Sequence, residues 1–344
     1  MSKLLEAIAK LNEEKGGAVG SVLDIPRGHG NIPTGLIELD RHIRGGVPRG
    51  KLTQIYGENN CGKSTLVMGI AREAQAQGLN VAYIDPERTF DPEYARAIGI
   101  DIDTPGRFVA AAPDDGIDAI DIMEALVDTG EIGLLVLDSV TFMVPRAMLE
   151  MDPQKNLPAV QARQNSMMVR RLIGRIANTN TAFVVINHLA GTMQTSQKTG
   201  QAIKKPGGGD MLQNASSLKL LLRKKEWPIG PDGKPVTNLN LSTHSETTIR
   251  VEKNKIGRQY LDIDARLEFG HGFDRVYDAV SALGSLTDEL GKEAVSKLPI
   301  YASGSWYYAD GRKWNGKEKF IADLHREPEL FDAVVRSVRA GFGL

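Results

Sequence analysis

The sequence predicts an α/β fold: a mostly parallel sheet flanked by helices, preceded by an N-terminal helical arm and followed by a small α+β C-terminal domain. Three observations predict it. The stretches "NVAYID" (80–85) and "GLLVLDSV" (133–140) are near-continuously apolar, as strands buried on both faces must be. Strand and helix patterns alternate from 50 to 268, which is how helices come to cover both faces of a parallel sheet. From about 270 the texture changes to a hairpin pattern, "GSWYYADGRKW", and a closing helix, "ELFDAVVRSVRA".

Residues 3–13 have the spacing of a short amphipathic helix, with Leu4, Leu5, Ile8 and Leu11 on one side, and "GGAVGS" ends it. That apolar face can dock on the chain's own core or on a neighbouring molecule, and both readings stand. "KLTQIY" (51–56) is a strand, and "TLVMGIAREAQAQ" (65–77) a helix stopped by Gly78. The two apolar strands follow, then a long helix over 159–178 and the strand "TAFVVIN" (181–187). "SSLKLLLRKK" (216–225) and "TTIRVEKNK" (247–255), with "GPDGKP" between them, extend the sheet in antiparallel fashion. Trp306, Tyr307, Tyr308 and Trp314 suit a small core of the last domain better than a nucleic-acid platform.

The bulk numbers exclude several classes. The chain has 344 residues, of which 41% are hydrophobic and 25% charged, as in an ordinary globule. No run of eighteen apolar residues predicts a membrane span, and "MSKLLEAIAKLNEEKGG" has no apolar core of a secretory signal. One cysteine rules out an intrachain disulfide and fits a reducing, cytoplasmic compartment. A net charge of −1 supplies no global attraction for nucleic acid, so any such contact must come from local patches.

The chemistry centres on "GENNCGKST", Gly57, Glu58, Asn59, Asn60, Cys61, Gly62, Lys63, Ser64 and Thr65, which matches G-x4-G-K-[S/T] between a strand and a helix. Gly57 and Gly62 let the backbone curl so that its N–H groups face phosphates, and the helix N-terminus adds partial positive charge. Lys63 reaches the β/γ oxygens and Ser64 offers a hydroxyl to Mg²⁺. Cys61 is a small filler. Asp138 ends an apolar strand, where a carboxylate is costly unless it faces a metal or its water. "YIDPERTFDPEY" offers Asp85, Glu87 and Asp91 to orient an attacking water, and nothing in the residues alone chooses among them.

His188 follows "FVVIN" and so reaches the same carboxyl edge, where ligands bind in open α/β sheets. From there about twenty residues run on with little to bury, the mark of a working loop. It carries Lys198, Lys204 and Lys205, no acid before Asp210, and the run of three glycines Gly207, Gly208 and Gly209, which suits tracking the phosphates of a single strand. Nucleotide occupancy sensed at His188 can bias the order of this loop.

Together "IPTGLIELDRHIRGGVPRGKLTQIYGENNCGKSTL", "YIDPERTFDPEYARAIGIDID", "LLVLDSV" and "VEKNKIG" resemble RecA-type DNA strand-exchange recombinases, in order and approximate spacing over roughly 34–275. "INH" departs from the bacterial enzymes, which carry Gln where His188 stands, and looks like the phage form, UvsX. The resemblance implies a RecA-like P-loop ATPase core using ATP and Mg²⁺. It makes Glu87 the general base, puts Asp91 and Tyr94 on the adenine, and sends Lys253 and Lys255 to the γ-phosphate of a neighbouring subunit. It also places one DNA loop at 146–165, with Arg163 and Arg170 of the following helix on phosphates, and a second at 190–210. Arg171 and Arg175 fall on another face, where they are solvated or paired. The division that follows is an oligomerisation arm (1–33), an ATPase and DNA-binding core (34–269) and a C-terminal domain (270–344). The implied partners are single- and double-stranded DNA, further copies in a helical filament, and single-strand-binding and mediator proteins, in the host cytoplasm if phage-encoded. The family's acidic tail is not matched. The rivals are a ring helicase or repair ATPase motor of the same core, a nucleotide-gated DNA scaffold without turnover, and a small P-loop kinase.

Overall fold

The computed structural model describes residues 30–144, 157–195, 202–230, 236, 242–255 and 257–344, with six positions near the N-terminus; side-chain surroundings are not described for 157–159, 190–195, 202–204, 226 and 227. In the expected first helix, Lys3, Glu6, Ala7, Ala9, Lys10 and Glu13 are helical and exposed. Its apolar positions, the expected first DNA loop up to 156, and Lys198 lie outside the described residues.

Fifteen strands are seen among the described residues. They are β1 (Asn31–Ile32), β2 (Val47–Pro48), β3 (Leu52–Gly57), β4 (Asn80–Ile84), β5 (Phe108–Ala111), β6 (Ile132–Leu137), β7 (Ala182–Thr195), β8 (Ala202–Pro206), β9 (Leu218–Ile229), β10 (His244–Asn254), β11 (Leu261–Glu268), β12 (Gly272–Phe273), β13 (Ile300–Ser303), β14 (Trp306–Ala309) and β15 (Arg312–Asn315). The main sheet has the order β12-β11-β10-β9-β3-β7-β6-β4-β5, with β8 paired to β7. From β9 to β5 the neighbours are parallel, and β10, β11 and β12 form the antiparallel extension.

The lack of polar alternation in the central strands has a direct cause. Val184 and Ile186, with Leu134 and Val136, face a core built with Leu66, Val67 and Ile70 of the helix Lys63–Ala76. Phe183 and Val185, with Leu135 and Leu137, face a second core built with Met123 of the helix Gly116–Asp128 and Leu172 of Leu157–Thr179. Period-two side chains thus enter both layers, and each fully buried Val or Leu stabilises by about 1.5–3 kcal/mol. A charge at Val184 would break the first layer.

The third core gathers Val276, Leu283, Trp314, Phe320, Val334 and Val338 beside Ile37 of the helix Ile37–His42. Trp314 donates to Asp323 (2.8 Å) and Tyr307 stacks on Phe320 at 5.0 Å, so these rings do form a small core. Trp306 remains 38% exposed. Contacts that join this part to the first helix of the core include the Asp278 carboxyl, which accepts from the Ile37 N–H, Arg339 paired with buried Asp40 at 2.9 Å, and Arg41 paired with Glu289. The strand β12 lies beyond 269 and still pairs with β11 through Leu267↔Phe273.

One expectation is corrected. Among the described residues after His188, β7 continues to Thr195 and β8 pairs back on it through Leu189↔Pro206, Ala190↔Lys205 and Gly191↔Lys204. A two-stranded ribbon satisfies its own backbone groups, so it needs no apolar partner to be regular. The lysines Lys204 and Lys205 therefore ride on a strand.

Candidate active site

β3 ends at Gly57, the loop turns, and Lys63 opens the helix behind Gly62 at φ +89°. A Cβ at Gly57 would stand 2.2 Å from the Leu222 carbonyl oxygen, so only glycine fits beside β9. At Gly62 it would meet Leu267 at 2.8 Å and Phe273 at 3.1 Å, in a left-handed conformation that already favours glycine. Lys63 Nζ donates to the Glu58 carbonyl at 2.7 Å. Cys61 is buried, its thiol pushed up chiefly by that burial, and it donates to the same carbonyl at 2.9 Å, which agrees with a filler role.

Facing the loop, Asp138 Oδ2 accepts from Ser64 Oγ (2.8 Å) and from the Tyr83 hydroxyl (2.6 Å). Burial raises the Asp138 carboxyl, while the two hydroxyls oppose that rise. Asn59, Lys63, Ser64, Glu87, Asp138 and His188 share one open cavity of about 680 Å³.

The three carboxylates that the sequence left open are separated by geometry. Asp85 is buried and folds back to accept the Phe90 N–H at 2.8 Å. Asp91 caps the helix Pro92–Ile98, accepting from Glu93 N (2.9 Å) and Tyr94 N (3.2 Å). Only Glu87 of the three lines the cavity. Its carboxyl is raised by partial burial and by the charges of Asp138 and Asp85, with Lys63 opposing. The Tyr94 hydroxyl lies 3.1 Å from Thr65 Oγ1, at the end of the phosphate loop.

His188 Nδ1 lies 3.1 Å from Asn59 Oδ1, and its Nε2 lies 3.9 Å from Glu87 Oε2. Burial, then Lys63, lowers the imidazole's proton affinity, with Asp138 opposing, so the ring is neutral near pH 7. Beside it stands Asn187, which sequence reading passed over. It is fully buried, accepts from Thr141 (3.4 Å) and donates to the Gly207 carbonyl at 2.8 Å. The Gly207 N–H donates to the His188 carbonyl at 3.3 Å. Both backbone groups of Gly207 therefore close the root of the hairpin, and the Gly208 carbonyl accepts from Asn165 at 3.3 Å. The signal was available: an amide ending an apolar strand must find buried partners.

The remaining cations divide. Arg171 pairs with Glu124 and Asp121, and Arg175 with Asp128, which holds two helices together. Arg163 and Arg170 are exposed along one side of the helix and share a shallow cavity of about 500 Å³. Lys205 is exposed on β8. Lys253 donates to the Gln213 (3.0 Å) and Asn214 (3.1 Å) carbonyls, and Lys255 to Asn214 at 3.5 Å. Register sets them apart from their own phosphate loop. Lys253 is opposite Lys219, whereas Gly57 is opposite Leu222, about 10 Å further along β9.

A glycine turn from strand to helix, a lysine at the helix start and a hydroxyl–carboxylate pair across from it define a P-loop nucleoside triphosphatase, here with a hairpin rooted at the carboxyl edge. The model of the RecA N-terminal domain matches residues 4–274. The chain is 35% identical to Protein RecA of Deinococcus radiodurans, over 99% of this chain and 88% of that protein. It is 33% identical to Protein RecA of Thermus thermophilus (98% and 95%) and 33% to that of Rhodospirillum rubrum (100% and 87%). The chain belongs to the RecA family. It is a DNA-dependent ATPase that acts in recombination and repair through single-strand-dependent strand exchange.

Proposed function

We propose that this protein hydrolyses ATP with Mg²⁺ at the interface between adjacent copies in a filament on single-stranded DNA, and that the β7–β8 hairpin reports nucleotide occupancy to the DNA. The chain's residues fit that group. Gly62, at φ +89°, turns the loop into the helix N-terminus that would face the phosphates, Ser64 and Asp138 would hold the cation, and Lys63 would hold the β/γ oxygens. Bound Mg²⁺ would neutralise charge on the transferred phosphoryl group. Glu87 orients and deprotonates the attacking water. Asp91 and Tyr94 border the adenine, which leaves Asp91 with two tasks since it also caps its helix. Lys253 and Lys255 complete the site of the next subunit, as a cation supplied in trans.

The single observation that carries this reading is the position of His188. It touches the phosphate loop through Asn59, faces Glu87, and is the residue from which the hairpin springs. Arg163, Arg170, Lys204 and Lys205, with Lys198 beyond the described residues, are the cations offered to the DNA backbone. Watson–Crick pairing then supplies the homology test, with duplex DNA as the second substrate. Among the described residues no helix is long and apolar enough to cross a membrane, and a cytoplasmic setting is the one proposed.

The test is phosphate release with and without single-stranded DNA, together with electron microscopy in a non-hydrolysable ATP analogue. Filaments and DNA-stimulated release are expected, with Lys63→Ala inactive. Closed rings would favour the motor of the same core, and release at full speed without DNA would sink the coupling.

A further inference from the structure

Tyr56 and Glu252 lie two strands apart, yet each is the immediate neighbour of a functional group. Tyr56 precedes Gly57 at the start of the phosphate loop, and Glu252 precedes Lys253 on β10. The Tyr56 hydroxyl donates to Glu252 Oε2 across β9. Tyr56 is 2% exposed. Its phenol is held above its ordinary range by burial and by the Glu252 carboxylate, so the hydroxyl keeps its proton and remains a donor. Lys219 Nζ stands 3.9 Å from the same carboxylate oxygen and 5.1 Å from the Tyr56 ring centroid.

The backbone explains how Glu252 comes to reach so far. Val251 is opposite Leu220 and Lys253 is opposite Lys219, so Glu252 is an extra residue with no register partner on β9. That is a β-bulge, a device that re-aims the side chains around it. The next residue, Lys253, is aimed at the carbonyls ending the helix Asp210–Ala215. One hydrogen bond to a charged acceptor therefore holds the bulge from one side and the root of the phosphate loop from the other.

We infer that Tyr56 is a positioning residue which, through Glu252, ties a subunit's own phosphate loop to the lysine pair that it presents to its neighbour. This rests on the reading that Lys253 and Lys255 act in trans. Occupancy of one site would then bias the cation offered to the next, so that hydrolysis along the filament is cooperative in ATP. Loss of the Tyr56 hydroxyl leaves the ring and its contact with Lys219 in place. It removes only the link.

The experiment uses the full-length protein on circular single-stranded DNA. Phosphate release is followed against ATP for Tyr56→Phe, Glu252→Gln and Lys253→Ala, and binding of a fluorescent ATP analogue is measured without DNA. The expected result for Tyr56→Phe is a Hill coefficient moved toward one and turnover slowed roughly five- to tenfold. Its nucleotide affinity without DNA stays that of the wild type. Glu252→Gln keeps an amide oxygen to accept the bond and should fall between Tyr56→Phe and wild type. Wild-type turnover and Hill coefficient in Tyr56→Phe, with Lys253→Ala slow, would overturn this inference alone. Wild-type turnover in Lys253→Ala would remove the trans reading and the inference with it. If Tyr56→Phe weakens nucleotide binding without DNA as much as it slows turnover, the tyrosine serves only its own loop and the link is refuted.

Discussion

His188 Nδ1 lies 3.1 Å from Asn59 Oδ1, which joins the first residue beyond Asn187 on the hairpin strand to the middle of the phosphate loop. With the amide oxygen as acceptor, Nδ1 carries the ring proton and Nε2 presents a lone pair to the cavity beside Glu87. Two acceptors thus converge where a water that gives up a proton would sit. This hydrogen bond links the phosphate loop to the hairpin directly, since His188 is also paired with Gly57 in the sheet and its carbonyl accepts from Gly207.

Replacing His188 by Ala should leave nucleotide binding within about twofold, since the phosphate contacts are on other residues, yet remove the stimulation of phosphate release by DNA. His188→Gln should retain stimulation, because an amide can meet Asn59 and still point into the cavity. The check is phosphate release with and without single-stranded DNA for both variants. Full stimulation in the alanine variant would exclude the histidine from the coupling.

Glu87→Gln should lower kcat by about 10²–10⁴ while nucleotide affinity is kept, the size expected for loss of a general base. The pH dependence has a defined sign. Partial burial and the charges of Asp138 and Asp85 raise this carboxyl above its ordinary 4.5. If Glu87 is the proposed base, it works only when deprotonated, so activity should fall as pH drops through that raised value. The acidic limb of the kcat profile should stand above pH 4.5 and be absent from the residual activity of Glu87→Gln. A limb unchanged in the variant would assign it to another group.

The layered sheet and the phosphate loop were legible because both are local patterns. Two-sided strands such as "FVVI" and a glycine loop between strand and helix read the same in one dimension as in three. Asp138 was legible for a similar reason, as a charge ending an apolar strand. What was not legible depends on contacts across the fold. Asp85, Glu87 and Asp91 look alike until Phe90 takes the first and the helix start takes the third. The role of Asn187 requires Thr141 and Gly207 to be side by side, and they are far apart in sequence. The β7–β8 ribbon escaped notice because it buries little, and hydrophobic periodicity is blind to a strand whose stability lies in its own backbone ladder. The extension through β11 and β12 likewise carries charges on its open side, where Arg250 pairs with Asp262.

Asp278 gives a prediction about stability. It is buried, and that burial, helped by Glu38 and Asp40, holds its carboxyl well above 3.8, while the Ile37 and Glu38 N–H groups oppose the shift. An acid whose pKa is raised by folding contributes its full stability below the unfolded value and loses it as pH rises through the folded one. Asn at this position keeps an acceptor for the Ile37 N–H and carries no charge. Asp278→Asn should therefore gain on the wild type as pH is raised from 4 toward 8, and melt at least as high at pH 7.5. The measurement is Tm against pH. A loss in Tm that grows with pH would mean that the ionised carboxylate, not its neutral form, holds the C-terminal part to Ile37.

The lysine pair permits a test that separates trans from cis action. Lys253 and Lys255 sit at the end of β10 that register places away from Gly57 of the same chain, and their ammonium groups rest on carbonyls of Gln213 and Asn214. If they serve a neighbour, a subunit without them still has an intact phosphate loop and Glu87. Conversely, a Glu87→Gln subunit has a dead site but still offers its lysines. Each variant alone, Glu87→Gln or the double Lys253→Ala, Lys255→Ala, should be nearly inactive on single-stranded DNA. Mixed before assembly, they should regain turnover, because some interfaces then join an intact Glu87 to intact lysines from the next subunit. Recovery should rise and fall with the mixing ratio, with its maximum near equal amounts. It should also vanish if the two are assembled separately and combined only afterwards on timescales shorter than subunit exchange. Absence of recovery at every ratio, with both variants still forming filaments, would place the lysines' effect within their own subunit. The register argument makes that outcome hard to reconcile with a rigid sheet, since those amines would have to reach back past Lys219 to their own loop.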